Sequence, residues 1–116
     1  MGDRLLMQCH DNETPPNFGA VLYCHWSGSE APAIVAALRE RMATRPDDVN
    51  YATARLAQAA MGSDDGNTGF GINNAPRLLT ADDSHGDAGI VLINVANACS
   101  VTCFGGYLKA EDGQFV

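Results

Sequence analysis

Hydrophobic and polar positions alternate in two stretches near the start of the chain, residues 4–10 and 18–26. A two-residue period is typical of β-strands that bury one face. The loop between them contains Pro15 and Pro16, which cannot donate backbone hydrogen bonds to a sheet. The two stretches therefore predict a hairpin, whose facing pairs are Leu5 with Cys24, Met7 with Leu22, and Cys9 with Ala20.

The hydrophobic period then changes to three and four residues, which predicts two helices. The first begins with a Ser29 cap and ends at Pro46. The second begins with a cap at Asp47 or Asp48 and ends at Gly62. The positions expected to face inward are Ala31, Ile34, Val35, Leu38, Met42, Val49, Ala52, Leu56 and either Ala59 or Ala60.

Short apolar runs return after the helices. Predicted strands cover residues 70–72, 90–103 and 107–110, and residues 77–80 are a candidate for a further short strand. Because the run 90–103 is long for a strand, we expect a break near Asn97. Strands and helices in separate runs, in the order β-β-α-α-β-β-β, predict a single α+β domain over residues 1–116, with about five antiparallel strands and two helices on one face. The expected core includes Leu22, Trp26, Ile34, Leu38, Leu56, Ile72, Ile93 and Val101.

Charge narrows the choice of partners. The 116 residues have a formal net charge of -7, and residues 39–55, with four arginines and three carboxylates, carry +1, so the remainder carries -8. An acidic surface repels nucleic acid and anionic membranes and attracts basic protein surfaces. The sequence contains neither a signal-peptide pattern nor an apolar run of membrane-spanning length. We therefore expect a cytoplasmic protein that binds a basic protein surface, with no direct contact to nucleic acid or membrane.

The carboxylates come largely in pairs at predicted turns. Pairs at 47–48 and 64–65 stand at opposite ends of the second helix, roughly 25 Å apart if that helix is straight. The alternative interpretation of these pairs is as helix caps and solubilising turns. The candidate partner-binding carboxylates are Asp47, Asp48, Asp64, Asp65, Asp82, Asp83 and Asp87.

Trp26 is the only tryptophan and is the remaining candidate partner-binding residue. By strand alternation it shares the inward face with Leu22 and Cys24, which favours a core anchor where the strand meets the helix. Tryptophan is also enriched at binding hot spots, so a contact residue is the second interpretation.

The cysteines and histidines predict neither a metal nor a cofactor. Cys9-His10 and Cys24-His25 repeat a Cys-His pair, but adjacent strand residues point to opposite faces and cannot close on one ion. Without a secretion signal, the four cysteines are expected to be reduced, buried thiols of the core.

No catalytic motif is present, so we expect a protein that is not an enzyme. A small enzyme that uses His25 or His85 as a base is an alternative, because histidine titrates near neutral pH. A carboxylate or cysteine beside His25 inside a cleft would favour that alternative. A virion structural or assembly protein, marked by stable self-association, is a further one.

Three stretches carry a resemblance: 22–28 (LYCHWSG), 48–52 (DVNYA) and 66–72 (GNTGFGI). They resemble small uncharacterised proteins of phages and prophages that have a His-Trp-Ser-Gly turn before a helix and a Thr-Gly-Phe-Gly-Ile strand after one. The resemblance transfers no catalytic residue. It implies a mobile-element setting, in which small acidic proteins block host defence complexes that hold nucleic acid in basic grooves. Together with the charge, it predicts an anti-CRISPR-like inhibitor that mimics nucleic acid.

Overall fold

The computed structural model describes residues 2–62 and 69–116 and has an α+β architecture. Its main elements are β1 (Leu5–His10), β2 (Val21–Cys24), α1 (Ala31–Met42), α2 (Val49–Gly62), β3 (Phe70–Asn73), β4 (Gly89–Asn94), β5 (Ser100–Phe104), β6 (Ala110–Glu111) and β7 (Gln114–Phe115). Five strands form one sheet in the spatial order β3-β2-β1-β4-β5, and β6 and β7 form a separate two-stranded hairpin. The predicted fold class, with both helices packed against the sheet, is confirmed.

The central pair of strands is parallel, whereas the sequence predicted an antiparallel sheet. β1 and β4 run side by side with Leu5 opposite Gly89 and Cys9 opposite Ile93, and every other neighbouring pair is antiparallel. Parallel neighbours need a long crossover, which the stretch from β2 through the helices and β3 supplies. Most residues of β1 and β4 are buried, as expected of strands that are covered on both faces.

The β1–β2 hairpin has the predicted register for two of its three pairs. Leu5 lies opposite Cys24 and Met7 opposite Leu22. The third pair does not form, because a bridge between His10 and Phe18 shifts the pairing by one residue there.

The helices bury the predicted faces. Their buried residues are Ala31, Ile34, Val35, Leu38 and Met42 in α1, and Val49, Ala52, Leu56, Ala59 and Ala60 in α2. The expected Ser29 cap is wrong, because a single 3-10 turn, Gly28–Glu30, leads directly into α1. The Ser29 amide instead donates to the Asp3 carboxylate at 2.8 Å.

The long apolar run 90–103 is a hairpin and not one strand. The predicted break is confirmed, and the chain reverses there, so that Val91 pairs with Cys103 and Ile93 with Val101. A 3-10 turn, Val95–Asn97, is followed by two residues with positive φ, Ala98 at 53° and Cys99 at 55°. The apolar residues on one face of β4 therefore share that face with the residues of β5 that lie opposite them.

The second face of the sheet is covered by the irregular segment 74–88, in place of the strand predicted at 77–80. Gln8, fully buried in β1, holds this segment. Its Nε2 donates to the carbonyls of Gly19 and Arg77 at 3.1 and 3.2 Å, and its Oε1 accepts from the Leu79 amide at 2.9 Å. The Arg77 carbonyl and the Leu79 amide, which would have paired with a neighbouring strand, are thus hydrogen-bonded to the buried Gln8 side chain instead.

The strand predicted at 107–110 is wrong for residues 107–109, and only Ala110 lies in a strand, as the first residue of β6. At Gly106 the chain passes so close to the start of β4 that a Cβ there would clash with backbone atoms of Ala88 and Gly89. The amide of Leu108 donates to Ala88 O at 3.3 Å, and the short β6–β7 hairpin forms only afterwards. Residues 107 and 108 are therefore hydrogen-bonded to the two residues just before β4, and the chain forms strands again only in β6 and β7.

Six of the eight expected core residues are buried or nearly so: Leu22, Ile34, Leu38, Leu56, Ile93 and Val101. Ile72 is 57% exposed. It lies opposite Leu22 in register, and so on the helix side of the sheet, but on the outermost strand, β3. Its hydrophobic pattern is that of a core residue, and only its edge position leaves it uncovered.

Candidate functional site

The acidic residues at the start of α2 have two different roles. Asp48 caps the helix, because its Oδ1 accepts from the Tyr51 amide at 2.9 Å, and its Oδ2 lies 3.3 Å from Arg45. Asp47 is exposed and has a positive φ of 69°, a conformation that aspartate tolerates better than most residues. The cap interpretation thus holds for Asp48, whereas Asp47 presents its charge to solvent.

The Asp47 turn lies beside the loop that follows β1. A groove of about 460 Å³ is lined by Asp11, the 16–18 segment and residues 47–50. A second groove, of about 290 Å³, is lined by Asp11, Asn12, Glu13, Asp47 and Ala96. We name the four carboxylates of these two grooves the acidic edge: Asp11, Glu13, Asp47 and Asp48. Sequence reasoning missed Asp11 and Glu13, although their position just after an apolar strand placed them at one end of the sheet.

Asp11 is the organising member of the acidic edge. Its Oδ1 accepts from the amides of Glu13 and Asn17 at 3.1 and 2.9 Å, and its Oδ2 accepts from the Asn17 side chain at 2.7 Å. The Asn17 side-chain bond is the main reason that the pKa of Asp11 is lowered. The carboxylate is therefore ionised near neutral pH and fixed in position at the shared wall of the two grooves.

The other predicted carboxylates lie elsewhere. Asp87 accepts from Arg4 Nε at 2.8 Å and from the Arg4 amide at 3.1 Å, and these bonds lower its pKa. Asp83 receives two bonds from Arg77, at 2.7 and 3.1 Å, and its pKa is lowered in the same way. Asp82 is exposed.

The predicted set does not form one surface. Arg4 precedes β1 and Asp11 follows it, so the Arg4–Asp87 pair and the acidic edge are separated by the length of a six-residue strand, roughly 20 Å. Asp64 and Asp65 lie outside the described residues. Of the predicted carboxylates that are described, Asp47 and Asp48 belong to the acidic edge. Asp83 and Asp87 lie outside it, and each is paired with an arginine, as Asp48 is with Arg45.

Trp26 is 53% exposed, so the core interpretation is wrong. β2 ends at Cys24, and the next amide, that of His25, donates to Gly69 O at 2.8 Å. The chain then turns into the 3-10 helix, which breaks the strand alternation on which the core prediction depended. The indole ring packs edge-on against the His25 ring at 4.2 Å between centroids.

Both candidate catalytic histidines lie around Tyr23. The Tyr23 hydroxyl is hydrogen-bonded to His25 Nδ1, and the His85 ring meets the Tyr23 ring edge-on at 5.5 Å. Gly2 packs directly against the His25 ring, since a Cβ there would lie 2.8 Å from Nε2. Two histidines and a phenol are therefore brought together on one side of the fold.

Among the described residues, neither a cysteine nor an unpaired carboxylate orients His25. Cys24 is part of the hydrophobic core that the two helices form with the sheet. Asp87 interacts electrostatically with His25, but its carboxylate is paired with Arg4. Within residues 2–62 and 69–116, no group of three His, Cys, Asp or Glu side chains could hold a metal ion. Three of the cysteines, Cys9, Cys24 and Cys99, are buried, and Cys103 is half-buried.

Comparison with protein-family models, with curated proteins and with solved structures found no match to this chain. In the part of the chain that the structure describes, no helix has both the length and the apolar character needed to cross a membrane.

Proposed function

We propose that this chain is a non-catalytic protein-interaction domain, whose acidic edge binds a basic surface of a host protein or nucleoprotein complex. The partner class we favour is a defence complex that holds nucleic acid in a basic groove. In that setting the domain acts as a phage-borne, anti-CRISPR-like inhibitor, and its carboxylates take the place of phosphates.

One observation carries this proposal. Asp11 and Asp47 come from loops far apart in sequence, and both line both grooves at one end of the sheet. Asp47 and Glu13 are exposed, and neither forms an ion pair within the described residues. Lysine or arginine side chains of a partner could enter the grooves and meet charge there without first breaking an internal ion pair.

The test is the binding of a partner that has been captured from host lysate, identified and purified. The double variant Asp47→Asn, Glu13→Lys removes one charge of the acidic edge and reverses another, while asparagine still tolerates the positive φ at position 47. We expect affinity to fall at least about tenfold at low salt, and wild-type affinity to fall steeply as salt rises. The matched control, Asp82→Asn with Glu30→Lys, has the same net charge but changes exposed residues outside the acidic edge. Equal losses in both variants, or salt-independent binding, would contradict the role of the acidic edge.

The Tyr23–His25 hydrogen bond favours a second candidate, an enzyme in which His25 acts as a base. This candidate is placed second because, in the part of the chain that the structure describes, neither an unpaired carboxylate nor a cysteine orients His25. His25→Gln distinguishes the two functions. An enzyme would lose its biological effect while partner affinity stays unchanged, whereas a binding domain would keep its effect.

A further inference from the structure

β3 is an edge strand, and its backbone polarity can be assigned residue by residue. The His25 amide donates to Gly69 O at 2.8 Å, so this pair is hydrogen-bonded across the two strands. Hydrogen-bonded pairs alternate along an antiparallel ladder, which makes Gly71 with Tyr23 the next such pair. Phe70 and Ile72 therefore direct their N–H and C=O groups away from β2, at the outer side of the sheet.

Among the described residues, β3 has neither a charged side chain nor a proline, two features that commonly prevent strand addition at an edge. The sequence of β3 is Phe-Gly-Ile-Asn, and Ile72 is 57% exposed. At the opposite edge, by contrast, the Val101 amide of β5 is bonded to Gly113 O at 2.9 Å, in the β6–β7 hairpin. Among the described residues, the fold thus occupies one edge of its sheet and leaves apolar surface at the other.

We propose that β3 accepts an extended basic segment of the partner as a sixth strand of the sheet, paired to Phe70 and Ile72. This proposal rests on the proposed function, since it adds a second contact to the binding of a basic partner. An added strand places alternate side chains on the two faces of the sheet. The side chains opposite Phe70 and Ile72 lie on the same face as Ile72 and can contact its apolar side chain. The side chain opposite Gly71 lies on the other face, where a Cβ at Gly71 would have no neighbour within 4 Å among the described residues.

The net charge of the chain favours a basic segment as the occupant. Two copies of this chain each carry -7, which opposes β3-to-β3 pairing, whereas a lysine- or arginine-bearing strand is attracted. The recognition chemistry is therefore backbone hydrogen bonding to Phe70 and Ile72, an apolar contact with Ile72, and attraction to an acidic domain.

The probe is a labelled peptide of alternating lysine and valine, with the same peptide N-methylated at every second residue as its control. The two peptides have equal charge, but N-methylation removes the donors along one edge of the strand. We expect fluorescence anisotropy to show binding of the plain peptide and at least tenfold weaker binding of a peptide methylated on the pairing edge. Hydrogen exchange at the Phe70 and Ile72 amides should slow when the plain peptide binds.

The matched protein variants are Ile72→Ala and Ile72→Pro. Both remove the exposed side chain, and only proline removes the outward N–H, which an edge strand tolerates. Binding to Ile72→Pro at least tenfold weaker than to Ile72→Ala, with unchanged circular dichroism, supports strand addition. Equal binding by the two variants, unchanged exchange at Phe70 and Ile72, or a dimer in sedimentation that Ile72→Pro dissolves would overturn it.

The two proposals fail separately when the purified partner replaces the peptide. Loss of affinity in Asp47→Asn, Glu13→Lys without loss in Ile72→Pro leaves the acidic edge supported and overturns strand addition. The reverse pattern overturns the role of the acidic edge and supports strand addition.

Discussion

Asp82 and Asp83 are neighbours in the chain and differ in almost every contact. Asp83 binds the Arg77 guanidinium through both oxygens and accepts from the Thr80 amide at 2.7 Å. Asp82 is exposed and makes no ion pair within the described residues. In the sequence the two residues form one acidic doublet. In the structure Asp83 stabilises a turn, whereas Asp82 is exposed to solvent.

Asp83→Asn is expected to destabilise the protein at neutral pH more than Asp82→Asn does. The Arg77 bonds lower the pKa of Asp83 in the folded state, so its contribution is complete above the ordinary aspartate pKa of about 4. That contribution is lost as pH falls through the lowered pKa. Urea unfolding at neutral and strongly acidic pH checks this, with Asp82→Asn as the control. A difference between the variants that persists in strong acid would contradict the Arg77–Asp83 assignment.

At the scale of elements, the helices carry the strongest sequence signal. Every predicted inward position of α1 is buried, and Leu38 is completely so. Helical periodicity is local, because residues three and four apart share a face whatever the helix packs against. Strands were harder to predict, since residues 77–80 and 107–109 have strand-like composition but form their hydrogen bonds outside a ladder.

Leu38→Ala is expected to lower the free energy of unfolding by about 2–5 kcal/mol, because it leaves a cavity between α1 and the sheet. The exposed Glu40→Ala in the same helix serves as control and is expected to change stability by less than about 0.5 kcal/mol. Urea denaturation followed by circular dichroism measures both. A Leu38→Ala loss as small as that of the control would mean that the helix face has been misassigned.

At the scale of the whole molecule, the burial of the cysteines shows how well the core excludes solvent. Cys9 on β1 is fully buried, and Cys103 on β5 is half-buried. Burial raises the pKa of Cys9 to about 12 and that of Cys103 to about 11. Since the thiolate is the reactive form, both groups are protected by protonation as well as by packing.

Iodoacetamide at neutral pH is therefore expected to alkylate Cys103 before Cys9, and Cys9 only as fast as the molecule opens globally. Intact-mass measurement against time checks this order, and the urea-unfolded protein, in which all four thiols react, is the control. A native mass lighter by the protons of a disulfide, or a stoichiometric metal adduct, would contradict the prediction of four reduced, metal-free thiols.

The sequence by itself determined the α+β class, the buried faces of both helices and the pairing of Leu5 with Cys24. These features follow from local periodicity, because the residues that share a face are set by the geometry of a helix or strand. The candidate site was partly predictable for the same reason, since Asp47 and Asp48 stand where the periodic pattern of α2 begins.

Only the tertiary structure decided the rest. Placement of β4 parallel to β1, the meeting of Asp11 with Asp47, and the pairing of Asp87 with Arg4 join residues far apart in the chain. Exposure of Trp26 and Ile72 likewise depends on which distant segments cover each position. Periodicity states which face a residue occupies, but not whether another part of the chain lies over that face, and this is why the surface available to a partner emerged only from the fold.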